Sequence, residues 1–371
     1  MDVRPTVATV DLAAICHNMQ VARDLAPGAA VCAIVKAHAY GHGLVQVGRA
    51  LADAGAEWLA VALVEEGTTL RDAGVKRPIL VLGAALDGGF DVLIEYDLTP
   101  AIFRTEHLDA LAAAAGDRDV RFHLKIDTGM ARLGLGTDEI DAFCDALATK
   151  SNLKLDGVLT HFANADLADL EFGTHQLALF DRGCEALAAR GITPRWVHIS
   201  NSAAVLSFPE AHRKLLRPGL MLYGLDPRVQ REPAGLEPAM RWTTRPIHIK
   251  TVPAGTRVSY GGRWTSQRET RLMTLPVGYA DGYPRAMTGK AEVVVRGVRV
   301  PVIGSICMDL CMADVTDVPG VTLEDEVVLI GKQGHAEVTA YDLAQWAGTI
   351  PYEITCGVSN RVPRLYVGTV G

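Results

Sequence analysis

Short apolar runs rich in β-branched residues recur along the first two thirds of the chain, each followed by Ala- and Leu-rich sequence of helical period. Strands that alternate with helices form parallel βαβ units, so this pattern predicts a parallel sheet covered by helices. The predicted strands are 29–35, 58–63, 78–82, 98–102, 120–126, 155–160, 196–199 and 215–223.

The number of these units points to a specific architecture. The clearest predicted helices are 12–25, 105–115, 138–149 and 174–190. Eight strand and helix units within about 210 residues suit a closed (β/α)8 barrel, which typically takes about 250 residues. A doubly wound open sheet is the alternative topology for the same pattern.

The pattern changes near 227–238, a connection that contains Pro and Gly, after which long helical stretches nearly vanish. Segments 244–252, 271–276, 291–300 and 326–330 read as strands separated by turns. We therefore expect an N-terminal segment 1–10 that packs with the C-terminal domain, a barrel over 11–230 and a smaller β-rich domain over 231–371.

Composition excludes several classes of function. The 36 basic and 43 acidic residues give a net charge of −7 without any Lys/Arg block, so nucleic acid is not an expected partner. The chain lacks a signal-type apolar region and any run of 18 apolar residues, which predicts a cytoplasmic protein. Seven scattered cysteines without C-x-x-C predict reduced thiols rather than disulfides or a zinc site.

Reactive side chains follow several of the predicted strands, and a barrel gathers its catalytic groups at the carboxyl ends of its strands. Lys36 ends the first run, and a partly desolvated amine there becomes nucleophilic. The alternative is that Lys36 only extends to solvent. Three more polar residues follow the fifth, sixth and seventh runs, and one lies in the eighth: Arg132, His161, Ser202 and Arg217. Their convergence at one end of the barrel favours a functional site.

Two other motifs carry little weight. Gly41-x-Gly43 lacks the third glycine of a dinucleotide-binding fingerprint. His38 and His42 have the spacing of helical metal ligands, but Tyr and Gly between them predict a loop, and no carboxylate accompanies them. We therefore expect a small-molecule ligand and no metal.

Together these segments resemble the alanine racemase family, whose members are pyridoxal-phosphate enzymes built from a barrel and a β-domain. The resemblance extends over nearly the whole chain, and many motifs in the same order are more specific than any single one. The matching segments are 35–43, 125–134, 160–163, 201–204, 217–219, 258–261, 278–282, 307–309 and 351–354.

The resemblance implies a racemase that uses two bases. Lys36 would form the Schiff base with pyridoxal 5'-phosphate and act as one acid/base. Tyr260 would be the second base on the opposite face, and because free tyrosine has a pKa near 10, cationic neighbours are expected. The family forms homodimers, so Tyr260 and Met308 would reach the site across the subunit interface.

The resemblance also implies which residues hold the cofactor and the substrate. Arg217 would face the pyridine nitrogen, braced by His161, while Arg132 would contact the phenolic oxygen and, with Met308, the substrate. Lys125 matches a lysine that carries a carbamate in many relatives. The full cofactor-binding set is Lys36, Tyr40, Arg132, His161, Asn201, Ser202, Arg217, Gly219, Leu220 and Tyr352.

Some positions leave the role open or depart from the family. Tyr279 and Asp309 would support the site, although these two residues and His198 could equally pack and hydrogen-bond within their own domains. His38 stands where relatives usually carry Asn or Asp. It either tunes the site or points away from it.

The implied reaction interconverts L-alanine and D-alanine, a precursor of peptidoglycan. Three alternatives stay open: a broader-specificity or serine racemase, a fold-related amino-acid decarboxylase and a non-catalytic pyridoxal-phosphate carrier. Decarboxylases of this fold protonate the cofactor nitrogen through an acidic residue, and Arg217 argues against that. A carrier has one domain, so the region that contains Tyr260 argues against a carrier.

Overall fold

A computed structural model describes residues 4–83, 88–228 and 234–368. Contacts divide these residues into two compact units. The barrel unit comprises Ala13–Ala39 and Leu44–Glu237, and the β unit comprises the described residues of Met1–Leu12, Tyr40–Gly43 and Pro238–Thr369. The predicted boundary at 230/231 lies outside the described residues, and the predicted division of the chain remains a prediction.

The barrel unit contains eight parallel strands in a nearly closed barrel, as predicted. Each of the second to seventh strands pairs with the one before it in the chain, and the eighth pairs with the first. Between the last two strands in chain order, the Arg217 N–H donates to the Ser200 carbonyl at 2.9 Å. The strands are Ala30–Ile34, Trp58–Val61, Ile79–Val81, Thr99–Ile102, Val120–Lys125, Leu153–Leu159, Trp196–His198 and Leu215–Leu216.

Helices connect these strands, and the predicted helix over 12–25 is confirmed at both ends. The prediction of a strand over 215–223 is wrong beyond Leu216, because Leu220–Tyr223 is a 3-10 helix. Pro218 explains the early end, since proline has no N–H to donate to a neighbouring strand. The α-helices are Leu12–Leu25, Leu44–Asp53, Val64–Asp72, Gly89–Glu95, Glu106–Ala115, Ile140–Ala148, Glu171–Ala189 and Ser202–Ser207.

The barrel strands are apolar on both faces because helices cover the outside and side chains fill the inside. Leu59, Leu124 and Val158 are fully buried, yet His123 and His198 are fully buried as well. His123 pairs in register with Gly157, immediately after an irregularity in the strand pairing. A Cβ at position 157 would lie 2.6 Å from three atoms of the His123 ring, so glycine makes room for the imidazole.

The β unit is built on a ten-stranded sheet. Its N-terminal strand pairs antiparallel with Met240–Thr244 and parallel with Arg364–Val367. In spatial order the strands are His248–Val252, Thr270–Leu275, Cys311–Asp314, Val298–Ile303, Glu292–Val295, Val327–Gln333, Met240–Thr244, Val7–Asp11 and Arg364–Val367, with Ala336–Val338 beside Val327–Gln333.

Two of the predicted strands in this unit are wrong in extent. The segment 244–252 contains parts of two strands, and 291–300 is a hairpin. The hairpin turns at Arg296 and Gly297, whose φ angles of 53° and 76° fit a tight turn that a run of apolar residues conceals.

The unit also contains short helices at Ala340–Ala347 and Pro351–Gly357 and a small hairpin of Arg257–Val258 with Trp264–Thr265. Among the described residues, no helix has the length and apolar character needed to cross a membrane.

Gly157→Ala tests the packing around the buried imidazole. The added methyl group would collide with the His123 ring, so we expect unfolding to become easier by roughly 1–3 kcal/mol. Gly173→Ala is the control, because the nearest atom to its new Cβ is at 3.4 Å and the residue lies within helix Glu171–Ala189. Urea unfolding measures both variants. Equal stability of the two would contradict this account of the barrel interior.

Candidate active site

Lys36 begins a turn of unusual backbone conformation at the carboxyl end of the first barrel strand. Residues Ala37, His38, Ala39 and Tyr40 all have left-handed φ angles, of 53°, 56°, 54° and 52°. An L-residue pays roughly 1–2 kcal/mol for this conformation. The Glu66 carboxylate accepts the Ala37 N–H at 2.6 Å. The chain therefore accepts strain directly beside Lys36 and holds the turn with a hydrogen bond.

His38 lies in the left-handed turn, a conformation that few residue types adopt readily. Asn, Asp and His are the residues besides glycine that most often adopt positive φ. His38 therefore suits the backbone requirement of this turn. The His38 side chain is exposed.

Arg217 is the buried cation of the site, with 3% of its surface exposed. Its two terminal nitrogens donate to Nδ1 of His198 at 3.1 Å, Nδ1 of His161 at 3.3 Å, the Thr160 carbonyl at 2.6 Å and the Ile199 carbonyl at 3.1 Å. Guanidinium only donates hydrogen bonds, so both imidazole nitrogens must be unprotonated acceptors. Within the described residues, the Nε–H of Arg217 has no acceptor.

A chain of hydrogen bonds extends from Arg217 through His198 into the barrel interior. With its Nδ1 accepting, His198 donates from Nε2 to Nδ1 of His123 at 3.0 Å. Nε2 of His123 is buried and has no partner among the described atoms. Burial, and then Arg217, lowers the pKa of His123 to about 3 and the pKa of His198 well below its ordinary value. The guanidinium is therefore surrounded by neutral imidazoles.

Four cationic side chains interact at the carboxyl ends of the strands. Burial, followed by the charges of Arg132 and Arg217, lowers the pKa of Lys125 to about 8, and Lys36 also contributes. Burial has the largest effect on His161. The charge of Arg217, and then those of Arg132, Lys125 and Lys36, also contribute, so the pKa of His161 lies well below its ordinary value. The structure thus brings together these five predicted residues, and the rim they form attracts anions.

Gln176 holds the turn that carries His161. It is fully buried on helix Glu171–Ala189. Its side-chain oxygen accepts the Ala163 N–H at 2.9 Å, and its nitrogen donates to the His161 carbonyl at 3.1 Å and to the Thr128 hydroxyl at 3.4 Å. This residue therefore connects the turns after the fifth and sixth strands.

Backbone N–H groups and hydroxyls gather after the seventh and eighth strands. The Ser202 hydroxyl accepts the Gly219 N–H at 2.8 Å and the Met221 N–H at 3.3 Å, so its own hydrogen remains available to donate. Leu220 begins a 3-10 helix, where the first N–H groups have no acceptor within the helix. The Asn201 side chain accepts the Ala204 N–H at 3.0 Å and caps helix Ser202–Ser207, a structural role.

In the β unit, the predicted residues Tyr40 and Tyr352 lie together, with ring centroids 6.0 Å apart. Burial, followed by Tyr352, raises the pKa of Tyr40, so its hydroxyl stays protonated and can donate. Gly41, at φ 83°, permits this approach, because a Cβ there would lie 2.0 Å from the Thr355 carbonyl oxygen. The pair offers two phenolic hydroxyls.

The other predicted residues of the β unit lie on exposed loops. Tyr260 has 70% of its surface exposed, Met308 52% and Tyr279 40%. The backbone N–H of Tyr279 donates to the Cys307 carbonyl at 3.0 Å, which connects two of these loops. Asp309 pairs with Arg361 at 2.6 Å, a structural contact.

The sequence interpretation missed His123, Gln176 and Glu66. A polar residue within an otherwise buried strand was a usable signal for His123, and its pairing with Gly157 was not visible. Gln176 and Glu66 look like ordinary polar residues of amphipathic helices, so nothing in their local sequence marks them. Within the described ranges, no group of three His, Cys, Asp or Glu side chains has a metal-binding arrangement.

The fold and the site define a (β/α)8-barrel protein with a cationic, lysine-containing rim at the strand carboxyl ends and a β-rich second unit. Comparison with known proteins gives the family. Residues 10–227 match the N-terminal domain of alanine racemase, and residues 239–366 match its C-terminal domain. The chain belongs to the alanine racemase family.

Individual relatives match over their whole length. The chain is 43% identical to an alanine racemase from Halothermothrix orenii, with 99% of this chain and 98% of the relative covered. It is 45% identical to one from Geobacter sulfurreducens, with the same coverage. The crystal structure of an alanine racemase from Bacillus anthracis with bound L-Ala-P superposes with a TM-score of 0.93 at 36% identity, covering 100% of this chain and 97% of that one.

The neutral state of His123 predicts a pH dependence of stability. Its folded pKa of about 3 lies below the unfolded value near 6.5, so the stabilisation is present above pH 6.5 and is lost as the pH falls. Between pH 7.5 and 5.5 this loss is about 1.4 kcal/mol. When the pH is lowered from 7.5 to 5.5, the unfolding free energy of His123→Gln should therefore fall by about 1.4 kcal/mol less than that of the wild type.

Urea unfolding at the two pH values measures the effect. His335→Gln is the control, because His335 is exposed and should leave the pH dependence unchanged. A His123→Gln variant with the same pH dependence as the wild type would show that the pKa of His123 is not lowered by folding.

Proposed function

We propose that this chain is a pyridoxal-5'-phosphate-dependent alanine racemase that interconverts L-alanine and D-alanine. The observation that carries the proposal is Arg217, a buried cation without a carboxylate partner in the described residues, flanked by neutral histidines on the rim that bears Lys36. The relatives named above are alanine racemases, so the decarboxylase, the serine racemase and the carrier are not favoured.

The donor set fits pyridoxal phosphate. When bound, this cofactor supplies a ring that stabilises negative charge at the α-carbon of an attached amino acid. The Nε–H of Arg217 lacks an acceptor in the described part of the chain, which suits an unprotonated ring nitrogen. Ser202, Tyr40 and Tyr352 offer hydroxyl donors and Leu220 offers an N–H donor of the kind that bind a phosphate, whereas the Gly219 N–H already donates to the Ser202 hydroxyl.

The charge of Arg217 determines which reactions the site favours. Burial lowers the pKa of Arg217 to about 10, so the group remains a cation at neutral pH and does not give its proton to a ring nitrogen. A cofactor ring whose nitrogen is unprotonated withdraws electron density less strongly. This favours simple proton exchange over side reactions such as transamination. Arg132, exposed on its loop, would orient the phenolic oxygen and the substrate carboxylate.

Racemisation requires removal of the α-proton on one face and delivery of a proton on the other. Lys36 would bind the cofactor and then exchange a proton on one face, and Tyr260 would do so on the opposite face. Exposure of the Tyr260 and Met308 side chains supports a role for both in a partner subunit's site. We therefore propose a homodimer in which each subunit completes the site of the other, with Tyr279 and Asp309 as supporting residues.

Lys125 would carry a carbamate that orients Arg132. Only the neutral amine adds carbon dioxide, and a pKa of about 8 leaves about a tenth of the lysine neutral at pH 7. An ordinary lysine would be almost entirely protonated at that pH. The product D-alanine would supply peptidoglycan synthesis from the cytoplasm.

Mixing two inactive variants tests the shared site. Lys36→Ala and Tyr260→Phe should each lower racemisation of alanine by at least about 100-fold, because each lacks one base. Subunit exchange between them rebuilds one intact site in each mixed dimer. Activity should then recover to about a quarter of the wild-type value, since half of the dimers are mixed and one of two sites is intact.

A coupled assay of D-alanine formation measures this recovery. Serine, arginine and lysine are tested as competing substrates in the same assay. Tyr96→Phe is the matched control and should retain activity. Full activity of Tyr260→Phe would refute the two-base mechanism, and absence of recovery on mixing would refute the shared site.

Isotope labelling tests the carbamate on Lys125. With 13C-bicarbonate at pH 8, the cofactor-free protein should show a carbamate carbon resonance that is missing in Lys125→Ala. Lys154→Ala, which removes an exposed lysine paired with Asp119, serves as the control and should keep the signal. If the resonance persists in Lys125→Ala, another amine is modified.

A further inference from the structure

Tyr260 lies at the tip of the hairpin formed by Arg257–Val258 and Trp264–Thr265. Two glycines, Gly261 and Gly262, follow it with φ angles of 74° and 54°. Within the described residues the Tyr260 side chain has no hydrogen bond. The direction of the phenol is therefore set mainly by the backbone that precedes it.

That backbone is strained at Ser259, the residue directly before Tyr260. Ser259 has φ 64° and ψ −174°, a combination that is essentially restricted to glycine. Such strain persists only where the surrounding structure imposes it, and it is found most often at functional sites.

Two serine hydroxyls impose the conformation in a reciprocal way. The Ser259 hydroxyl donates to the Ser305 carbonyl at 2.7 Å, and the Ser305 hydroxyl donates to the Tyr260 carbonyl at 2.9 Å. Gly304 permits this contact, because a Cβ there would lie 2.9 Å from Cβ of Ser259. Ser305 is buried, with 1% of its surface exposed, so the serine bonds are shielded from water.

The base of the hairpin is held independently of these serines. Val258 belongs to a buried apolar cluster with Val252, Leu272 and Ile303, and Trp264 packs against the same cluster. Ser266, directly after the other strand, donates to the Pro253 carbonyl at 2.8 Å. The base of the hairpin therefore has anchors that do not involve Ser259.

We propose that Ser259 and Ser305 are positioning residues that fix the direction of the Tyr260 phenol for proton transfer. The strained backbone of Ser259 sets the direction of the Tyr260 side chain. The two hydrogen bonds from serine hydroxyls to backbone carbonyls maintain that direction. This proposal rests on the proposed function, in which Tyr260 is one of the two bases.

A purely structural role for the two serines predicts different behaviour. If they only stabilise the loop, their replacement should lower stability and activity together. If they position Tyr260, Ser259→Gly should separate the two properties. Glycine adopts this φ and ψ without strain, but it lacks the hydroxyl and allows the tip to move.

The test compares Ser259→Gly and Ser305→Ala with the wild type, and Ser266→Ala serves as the control for general loosening of the hairpin. Thermal unfolding and amide exchange of the peptide around Gly262 are measured in the cofactor-free proteins. The holoenzymes are then assayed with L-alanine and D-alanine, each with and without deuterium at the α-carbon.

We expect Ser259→Gly to keep or raise the unfolding midpoint and to exchange faster at Gly262, whose N–H donates to the Ser259 carbonyl at 3.1 Å. Its kcat/KM should fall roughly tenfold or more, because a small displacement of a reacting group is costly. The deuterium isotope effect should rise for the one enantiomer whose proton Tyr260 removes. Ser305→Ala should show the same asymmetry, and Ser266→Ala should keep the wild-type pattern of isotope effects.

Two results would overturn the proposal. One is wild-type kcat/KM and isotope effects in both Ser259→Gly and Ser305→Ala. The other is a lowered midpoint with isotope effects that change equally for both enantiomers. Tyr260→Phe separates this failure from that of the proposed function: if Tyr260→Phe is inactive while the serine variants are normal, only the positioning role is wrong.

Discussion

Arg217 can remain charged inside the barrel only because its neighbours are arranged to accept hydrogen bonds. Two backbone carbonyls and two imidazole nitrogens accept hydrogen bonds from it, and burial together with the guanidinium charge keeps those imidazoles neutral. His123 extends this arrangement by fixing which nitrogen of His198 faces the guanidinium. Gly157 in turn leaves the space for His123. The chemistry at the rim thus depends on packing within the barrel interior.

The two proposed bases, Lys36 and Tyr260, lie beside backbone conformations that most residues avoid. The left-handed turn after Lys36 is stabilised by Glu66, and the extended positive-φ conformation of Ser259 is held by Ser305. In both places the strain is local, and a neighbouring element supplies the compensating hydrogen bond. Such compensation lets a functional residue adopt a direction that an unstrained chain would not give it.

The sequence was sufficient for the architecture, because alternation of apolar runs with helical period reports burial directly. It located seven barrel strands to within a few residues and placed Lys36, Arg132, His161 and Arg217 at the strand ends. It failed where a turn lies inside an apolar stretch, as at Arg296, and where Pro218 ends a strand early. Apolar periodicity records which residues are buried and carries little information on backbone direction.

The sequence by itself therefore determined the fold class and the family and predicted the reactive residues, since these follow from local pattern and from residue type. The tertiary structure alone decided which polar residues support them. Glu66, Gln176, His123 and Ser305 lie far along the chain from the groups they hold, and their contacts are hydrogen bonds between separate elements. Hydrogen bonds of this kind depend on positions fixed by folding to within a few tenths of an ångström, and local sequence does not specify those positions.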